Sequence, residues 1–352
     1  MNLEGIRQRI DRLDLEIVDR LHLRAELALL ARRFKESVVD EERERQVLEK
    51  VRRKGGKPVT PAFLDRLYRQ IIEETRRIQY GELRLAGFQG EHGAFSEQAL
   101  AVFAPALVPI PCLEFNDVFE TVESGLFDCG LVPVENSLEG SVPEVNRILL
   151  ETRLKIVGEV LLPIHHSLLS LAGTGIREIR AVYSHPQALA QCRNFLSRQA
   201  LEVRAFYDTA GAARWLAAER PHDVGVIAGR LAAERYGLEI IKENVEDHPG
   251  NRTRFIVLSA KAGEDGGNKH SIVFTTPHRA GALSRILSIF AEERINLTRV
   301  ESMPVRNNPE QWAFLLDFLS PGDEARVTKV MERAREEAAS FRDLGSYKEA
   351  SL

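Results

Sequence analysis

The stretch Gln79-Tyr80-Gly81-Glu82-Leu83-Arg84-Leu85-Ala86-Gly87-Phe88-Gln89-Gly90 is where this chain changes character. On its N-terminal side apolar residues recur every three or four positions, the period of an amphipathic helix. On its C-terminal side they come in short runs, such as Leu126 to Val134, Arg180 to Tyr183 and Val224 to Ala228. These alternate with helix-like segments such as Ser96 to Phe103 and Asp208 to Ala218. Strands alternating with helices predict an α/β sheet with ligand sites at strand ends. An all-α section is therefore joined to an α/β one.

Working back from Gly81, a third helix starts at Thr60-Pro61, an N-cap followed by proline at the first helical position. Gly55-Gly56-Lys57-Pro58 separates it from a second helix that runs to about Lys54, with Asp40 as N-cap and Glu41 and Glu42 at the positive end of the dipole. Ile6, Ile10, Leu13, Ile17, Leu21, Ala28 and Ala31 mark a first helix over Leu3 to Lys35. Its apolar stripe needs a partner chain to cover it. Forward of the α/β section, Ala260 to Asn268 reads as a glycine-rich charged linker. Beyond it the pattern predicts strand His270 to Thr276, helix Gly281 to Glu293, strand Leu297 to Pro304, strand Trp312 to Leu319 and helix Asp323 to Ala339, with a last short strand. That is a ferredoxin-like α+β order.

At 352 residues the chain should hold two or three domains. Lys and Arg number 48 against 52 Asp and Glu, a net charge of −4, with 44% hydrophobic residues, an ordinary globular balance. It carries no nucleic-acid footprint, although residues 1–82 hold 19 Lys and Arg against 16 Asp and Glu. The N-terminus lacks the basic segment and apolar run of a secretory signal. Val160 to Ala172, interrupted by Pro163, His165 and His166, is too short and polar to cross a bilayer. Cys112, Cys129 and Cys192 have no close pairing, which predicts free thiols in a reducing cytosol.

The same helical spacing puts Arg24 and Lys35 on the buried stripe and Arg7 at its edge. In the third helix Leu64, Tyr68, Ile71 and Ile78 define the inward side, with Thr75 and Gln79 on or beside it. Taken singly, the cation stems snorkel to water and Thr75 bonds the preceding turn. Taken together, buried cations demand anionic partners, and the set predicts a cavity for a small polycarboxylate. Arg7, Arg24, Lys35, Asp40, Arg43, Glu44, Thr75 and Gln79 resemble, in type and spacing, the active-site set of the all-helical chorismate mutases at the N-terminus of bacterial P-proteins, with Thr75 in place of the serine common there. The resemblance implies an intertwined dimer in which Arg7 reaches into the partner's pocket. Arg7 and Arg24 would hold two carboxylates, and Lys35 and Gln79 would donate to the breaking ether oxygen. Glu44, with Asp40, would accept from the ring hydroxyl, and Arg43 would brace the acids and backbone.

In the middle section Gly87 to Ser96, Val132 to Ser137, Tyr183 to Gln187 and Asn251 to Phe255 each border an apolar run, which gathers small, hydroxyl, amide and basic residues at strand ends. Singly each is weak. Gly87, Gly90 and Gly93 do not spell a dinucleotide fingerprint and no phosphate-loop lysine follows, so no cofactor is implied. His165 and His166 lack a helical metal spacing and partner cysteines, and structural roles, or roles supporting a neighbouring site residue, are expected of them rather than metal ligation. In order, the segments resemble the prephenate dehydratase family, and Thr253-Arg254-Phe255 is similar to its signature triplet. The resemblance implies two α/β subdomains around a cleft, like a type 2 periplasmic binding protein, with the chain crossing near Gly158 and returning after about Tyr236. Thr253, as proton donor, would face Glu135, Asn136, Ser184 and Gln187 across the gap, and Arg254 would hold the pyruvyl carboxylate.

Gly281-Ala282-Leu283 and the strand from Asn296 to Pro304, which includes Glu301 and Ser302, resemble the regulatory ACT domain of these dehydratases, with Met303 where the family usually has Arg. L-phenylalanine as effector, bound between paired ACT domains, is what this implies. The expected organisation is a chorismate mutase domain over 1–82, a prephenate dehydratase domain over 83–260 and an ACT domain over 269–347. The expected protein is a cytoplasmic homodimer or tetramer that converts chorismate to phenylpyruvate with no cofactor, metal, membrane or nucleic-acid partner. A fusion to prephenate dehydrogenase would need a nicotinamide fingerprint that is missing. A sensor protein without turnover is the other rival, and Thr253, Gln187 and Lys35 weigh against it.

Overall fold

In the computed structural model the Asn2 side chain accepts from the Gly5 amide at 2.8 Å and so starts the first helix, α1 (Leu3–Arg32). Asp40 and Thr60 cap α2 (Glu41–Arg53) and α3 (Pro61–Tyr80) in the same way. The structure describes residues 2–263, 266–305 and 308–350, and the chain divides into two compact units, Met1–Arg84 and Leu85–Leu352. Of the expected linker, Glu264 and Asp265 lie outside the described residues.

In the first unit Leu29, Val38, Leu48 and Ile72 are buried, but most of the α1 stripe is not. Ile10 is 51% and Ile17 57% exposed within the single chain. Burial of apolar surface is what holds such a helix in place, and one protomer leaves much of it undone.

The second unit begins with β1 (Leu85–Gln89), α4 (Phe95–Phe103), β2 (Val108–Cys112), α5 (Phe115–Glu123), β3 (Cys129–Asn136), β4 (Gly140–Ser141), α6 (Pro143–Leu149) and β5 (Lys155–Pro163). It continues with β6 (Ser167–Ser170), β7 (Ala181–Ser184), α7 (Pro186–Gln191), α8 (Arg193–Gln199), β8 (Glu202–Ala205), α9 (Thr209–Glu219), β9 (Val224–Ala228), α10 (Arg230–Tyr236), β10 (Glu239–Lys242) and β11 (Arg252–Ser259). Two mixed sheets result. One has the order β2-β1-β3-β11-β5 with β4 on β3, and the other β10-β6-β9-β7-β8. Fully buried Phe88, Leu131, Leu169, Leu216 and Val226 fill one core that both sheets share. The chain changes sheets between β5 and β6, at Ile164 to His166, rather than near Gly158, and returns between β10 and β11. Gly158 lies mid-strand because Phe103 packs where its Cβ would be, 2.4 Å from the ring edge.

The third sheet, β13-β14-β12-β15, is built from β12 (Lys269–Thr275), α11 (Ala282–Glu292), β13 (Leu297–Val305), β14 (Asn308–Leu319), α12 (Glu324–Glu337) and β15 (Ser340–Tyr347). Here the last strand is eight residues long, not short, because it pairs antiparallel with β12 along its whole length. Its Gly345, at φ +128°, lets β15 approach β5 closely, since a Cβ there would sit 2.6 Å from the Ile156 carbonyl oxygen. The ferredoxin-like sheet therefore packs as part of the same unit as the α/β sheets.

Candidate active sites

In the helical unit two of the expected polar residues on the α1–α3 seam, Arg24 and Thr75, meet. An Arg24 guanidinium nitrogen donates to the Thr75 hydroxyl, which itself donates to the Ile71 carbonyl at 2.6 Å. The Gln79 amide donates to the Ala28 carbonyl. Lys35 lies three residues beyond the end of α1, in a turn that Arg32 fixes by donating to the Lys35 carbonyl at 2.7 Å. Asp40 is occupied as the α2 cap, accepting from the Arg43 amide at 2.9 Å, and the Arg43 side chain is exposed. Glu44 forms a two-pronged pair with Arg76, a residue the sequence pattern did not single out. Arg7 is exposed near the start of α1. It precedes Arg24 by 17 residues, about 26 Å along a straight helix at 1.5 Å per residue. One small dicarboxylate cannot bridge them within a protomer.

Between the two α/β sheets lies a cavity of about 380 Å³ lined by Gln89, Ser96, Asn136, His166, Gln187, Gln191, Asp208, Thr253 and Phe255, among others. Gln89 ends β1, Asn136 ends β3 and His185 follows β7, so the cavity sits at the carboxyl ends of parallel strands. The strand β11 runs antiparallel to β3 and therefore brings its own beginning, Thr253, to the same edge.

Thr253 pairs directly with Asn136 on the neighbouring strand, not across the gap. The Asn136 carbonyl oxygen accepts from the amides of Leu138 at 2.9 Å and Glu139 at 3.1 Å, which fixes the amide orientation. Its NH₂ then donates to Thr253 Oγ1 at 2.9 Å. The Thr253 hydroxyl thus accepts from Asn136 at the wall of the cavity. The Nδ2 donor draws electron density from the hydroxyl and favours release of its proton.

Three expected ligands are not in the cavity. Ser184 is fully buried and donates to the Ile227 carbonyl at 2.6 Å, a core role. Arg254 points to the opposite face from Thr253, as successive residues of a strand must, and is closed in by Glu159, Asp317 and Tyr347. Glu135, beside it on β3, is likewise turned away from the lining and half-exposed. Gln187 does line the cavity. Among the described lining residues there is no Arg or Lys. Positive potential comes instead from the first turns of α4 and α9, whose Ser96 and Thr209 face the space.

Sequence reasoning missed Gln191 and Asp208, and left His166 a structural or supporting part. Gln191 Oε1 accepts from the Asn251 amide at 3.1 Å and lies 3.0 Å from His166 Nε2, so that nitrogen carries the proton. Burial pushes the His166 pKa down, leaving a neutral ring whose Nδ1 has no hydrogen-bond partner among the described residues. Asp208 caps α9 through the Gly211 amide at 2.7 Å. Burial, and then the nearby Glu91, hold its carboxyl above the usual range despite that bond. Only the start of a helix pattern at Asp208 was visible in the chain. His165 pairs with Glu246 at 2.8 Å, outside the cavity lining.

The third sheet carries a pocket of about 520 Å³ lined by Thr276 to Ser284 and Trp312. Gly281, Ala282 and Leu283 are part of it, whereas Asn296, Glu301 and Ser302 are not. Gly281 precedes α11 at φ +76°, a left-handed cap that a side chain would strain. Among the described residues no cluster of metal-ligating side chains exists, and no helix is long and apolar enough to cross a membrane.

Three family models match the chain in order: Chorismate mutase type II at residues 6–80, Prephenate dehydratase at 86–263 and ACT domain at 270–339. A bifunctional chorismate mutase/prephenate dehydratase of Neisseria gonorrhoeae (strain ATCC 700825 / FA 1090) is 36% identical over 352 residues, which covers 98% of this chain and 97% of that protein. An arogenate dehydratase/prephenate dehydratase 2 of Arabidopsis thaliana is 38% identical over 285 residues, 78% of this chain and 75% of that one. Among solved structures, a prephenate dehydratase from Arthrobacter aurescens in complex with L-Phe superposes with a TM-score of 0.69 at 31% identity, covering 76% of this chain and 90% of that chain.

Proposed function

The chain belongs to the bifunctional chorismate mutase/prephenate dehydratase family, and on that premise we propose that the two residue sets described above divide its two reactions between them. It rearranges chorismate to prephenate, then removes carbon dioxide and the ring hydroxyl from prephenate to give phenylpyruvate, in phenylalanine biosynthesis. L-phenylalanine acts back on it through the ACT domain.

The first reaction is a pericyclic shift, so positioning and electrostatics must carry it. Arg24 clamps one carboxylate of chorismate and Arg7 of a second copy clamps the other, since the Arg7–Arg24 separation along α1 forbids a single-chain site. The chain works as at least a homodimer for this reason, and that dimer covers the exposed α1 stripe. Lys35 and Gln79 donate to the ether oxygen as its bond breaks, while Glu44, held by Arg76, takes the ring hydroxyl. A million-fold acceleration requires about 8 kcal/mol, within reach of several preorganised charged donors.

In the second reaction the poor leaving group is hydroxide, and protonation is the remedy. Thr253 gives the proton, Asn136 polarises its hydroxyl, and a proton from solvent restores it after water and carbon dioxide have left. The cavity's lack of Arg and Lys suits the chemistry. The ring carboxylate must leave as neutral carbon dioxide, and a tightly paired cation would hold it back. Gln187, Gln191 and the helix N-termini bind the dianion through neutral donors. The observation that carries this assignment is the Asn136–Thr253 bond at the wall of the cavity. Incubating the purified protein with chorismate tests it: prephenate should appear first and phenylpyruvate after it, and accumulation of neither would end the enzymatic assignment.

A further inference from the structure

The carboxylate nearest the Arg254 guanidinium Nη1 comes from the third sheet, not from the sheets that build the cavity. Nη1 lies 2.7 Å from Asp317 Oδ2 on β14, Nε donates to Glu159 at 2.7 Å, and Nη2 donates to the Tyr347 hydroxyl on β15 at 3.1 Å. Asp317 also accepts from Ser271 at 2.6 Å, and Glu159 is paired with Lys269 at 3.0 Å. The side chains of Arg254, Glu159 and Asp317 expose 10%, 2% and 2% of their surface, so none can turn to water if another is displaced. Burial works against the arginine's charge, yet Asp317, Tyr347 and Glu159 more than offset it.

Arg254 is the residue after Thr253, and the β11–β3 register slips between Arg254 and Phe255. The bulge interrupts the β3 side of the ladder just past the threonine, while β5 pairs without a slip from Arg252 to Val257. The side-chain ties of Arg254 add to the restraint that β5 gives on the other side. The strand that carries Glu301 and Ser302 also touches this cluster, because Arg299 approaches Asp317 Oδ2 at 3.9 Å and donates to Asn146 at 2.6 Å.

We propose that Asp317, acting through Arg254, is a positioning residue for dehydration: the third sheet holds the Thr253 hydroxyl toward the cavity by fixing the next side chain along β11. The proposal rests on the assignment of Thr253 as proton donor. Movement of the third sheet, by whatever effector it binds, reaches the cavity by this route, and coupling of that kind acts equally in both directions.

The test uses the full chain with Asp317→Asn and, as a variant that keeps every buried charge, Tyr347→Phe. In Asp317→Asn, kcat for prephenate dehydration should fall about tenfold or more while KM stays within about threefold, as expected for a misplaced reacting group. Tyr347→Phe should shift kcat in the same direction by a smaller factor. Chorismate consumption, read in the same preparations, should equal that of the parent. Should Asp317→Asn fail to fold, Tyr347→Phe decides alone. Parental kcat in the folded variants, or a rise in KM at constant kcat, overturns the proposal. A parent that forms prephenate but no phenylpyruvate overturns the dehydratase assignment itself, and the proposal with it.

Discussion

The helical unit and the α/β sheets solve the same task, holding a small dianion, from opposite starting points. In α1 the cations are on the page of the sequence, yet a single chain leaves Ile10 and Ile17 exposed and sets Arg7 about 26 Å from Arg24. The α/β cavity needs no partner to close. Phe88, Leu131 and Val226 are fully buried in the core that the two sheets share, and both walls of the cavity come from one chain. Charged clamps on an open seam suit a reaction that must compress a flexible dianion. A cavity walled by one chain, with no Arg or Lys among its described lining residues, suits one that must release carbon dioxide.

The sharpest way to separate the two sites is Thr253→Ala. Phenylpyruvate formation should drop by about a thousandfold, within the range of general acid catalysis, while chorismate is still consumed and prephenate accumulates. Unchanged dehydration would remove Thr253 from the chemistry. Lys35→Ala should do the reverse, lowering mutase turnover by about a hundredfold with dehydration of added prephenate intact. Circular dichroism guards this result, because an equal loss of helix would make Lys35 structural. Ile17→Glu asks whether a second copy covers the stripe. It should shift the protein toward smaller species in sedimentation and cost about tenfold in mutase activity, through burial of an unpaired charge. Dimers of parental strength would break the comparison between an open and a closed site.

The smallest effect is a pH dependence confined to the α/β unit. Burial lowers the His166 pKa from 6.5, so the unfolded chain binds its proton more readily than the folded one. The stability owed to neutral His166 is present in full above about pH 6.5 and is lost as pH falls below it, through the lowered folded value. Melting of the parent should therefore fall more steeply from pH 7 to pH 5 than melting of His166→Gln.

Much of this was legible in the chain. The three-and-four spacing of α1, the caps at Asp40 and Thr60 and the change at Leu83 located the elements to within a few residues. Arg24 met Thr75 and Gln79 met the Ala28 carbonyl as the helical period demands, and Asn136 and Thr253 met because strand ends converge. Ser184 and Arg254 went elsewhere. A hydroxyl next to His185 reads the same whether it faces a cavity or the Ile227 carbonyl. Only the alternation of β11, fixed by its pairing register, shows that Thr253 and Arg254 serve different faces. Gln191 and Asp208 sit inside helix-like stretches, where nothing in the local pattern distinguishes a cavity wall from a solvated turn.

Composition and periodicity determined that the chain holds a helical section, an α/β section and a ferredoxin-like section, because burial of apolar side chains imposes a period on each. Tertiary structure alone decided which polar groups face the space between the sheets and which are spent neutralising one another. That choice depends on strand register and on charges brought together from distant segments, such as Arg254 and Asp317, whose separation in sequence carries no local signal.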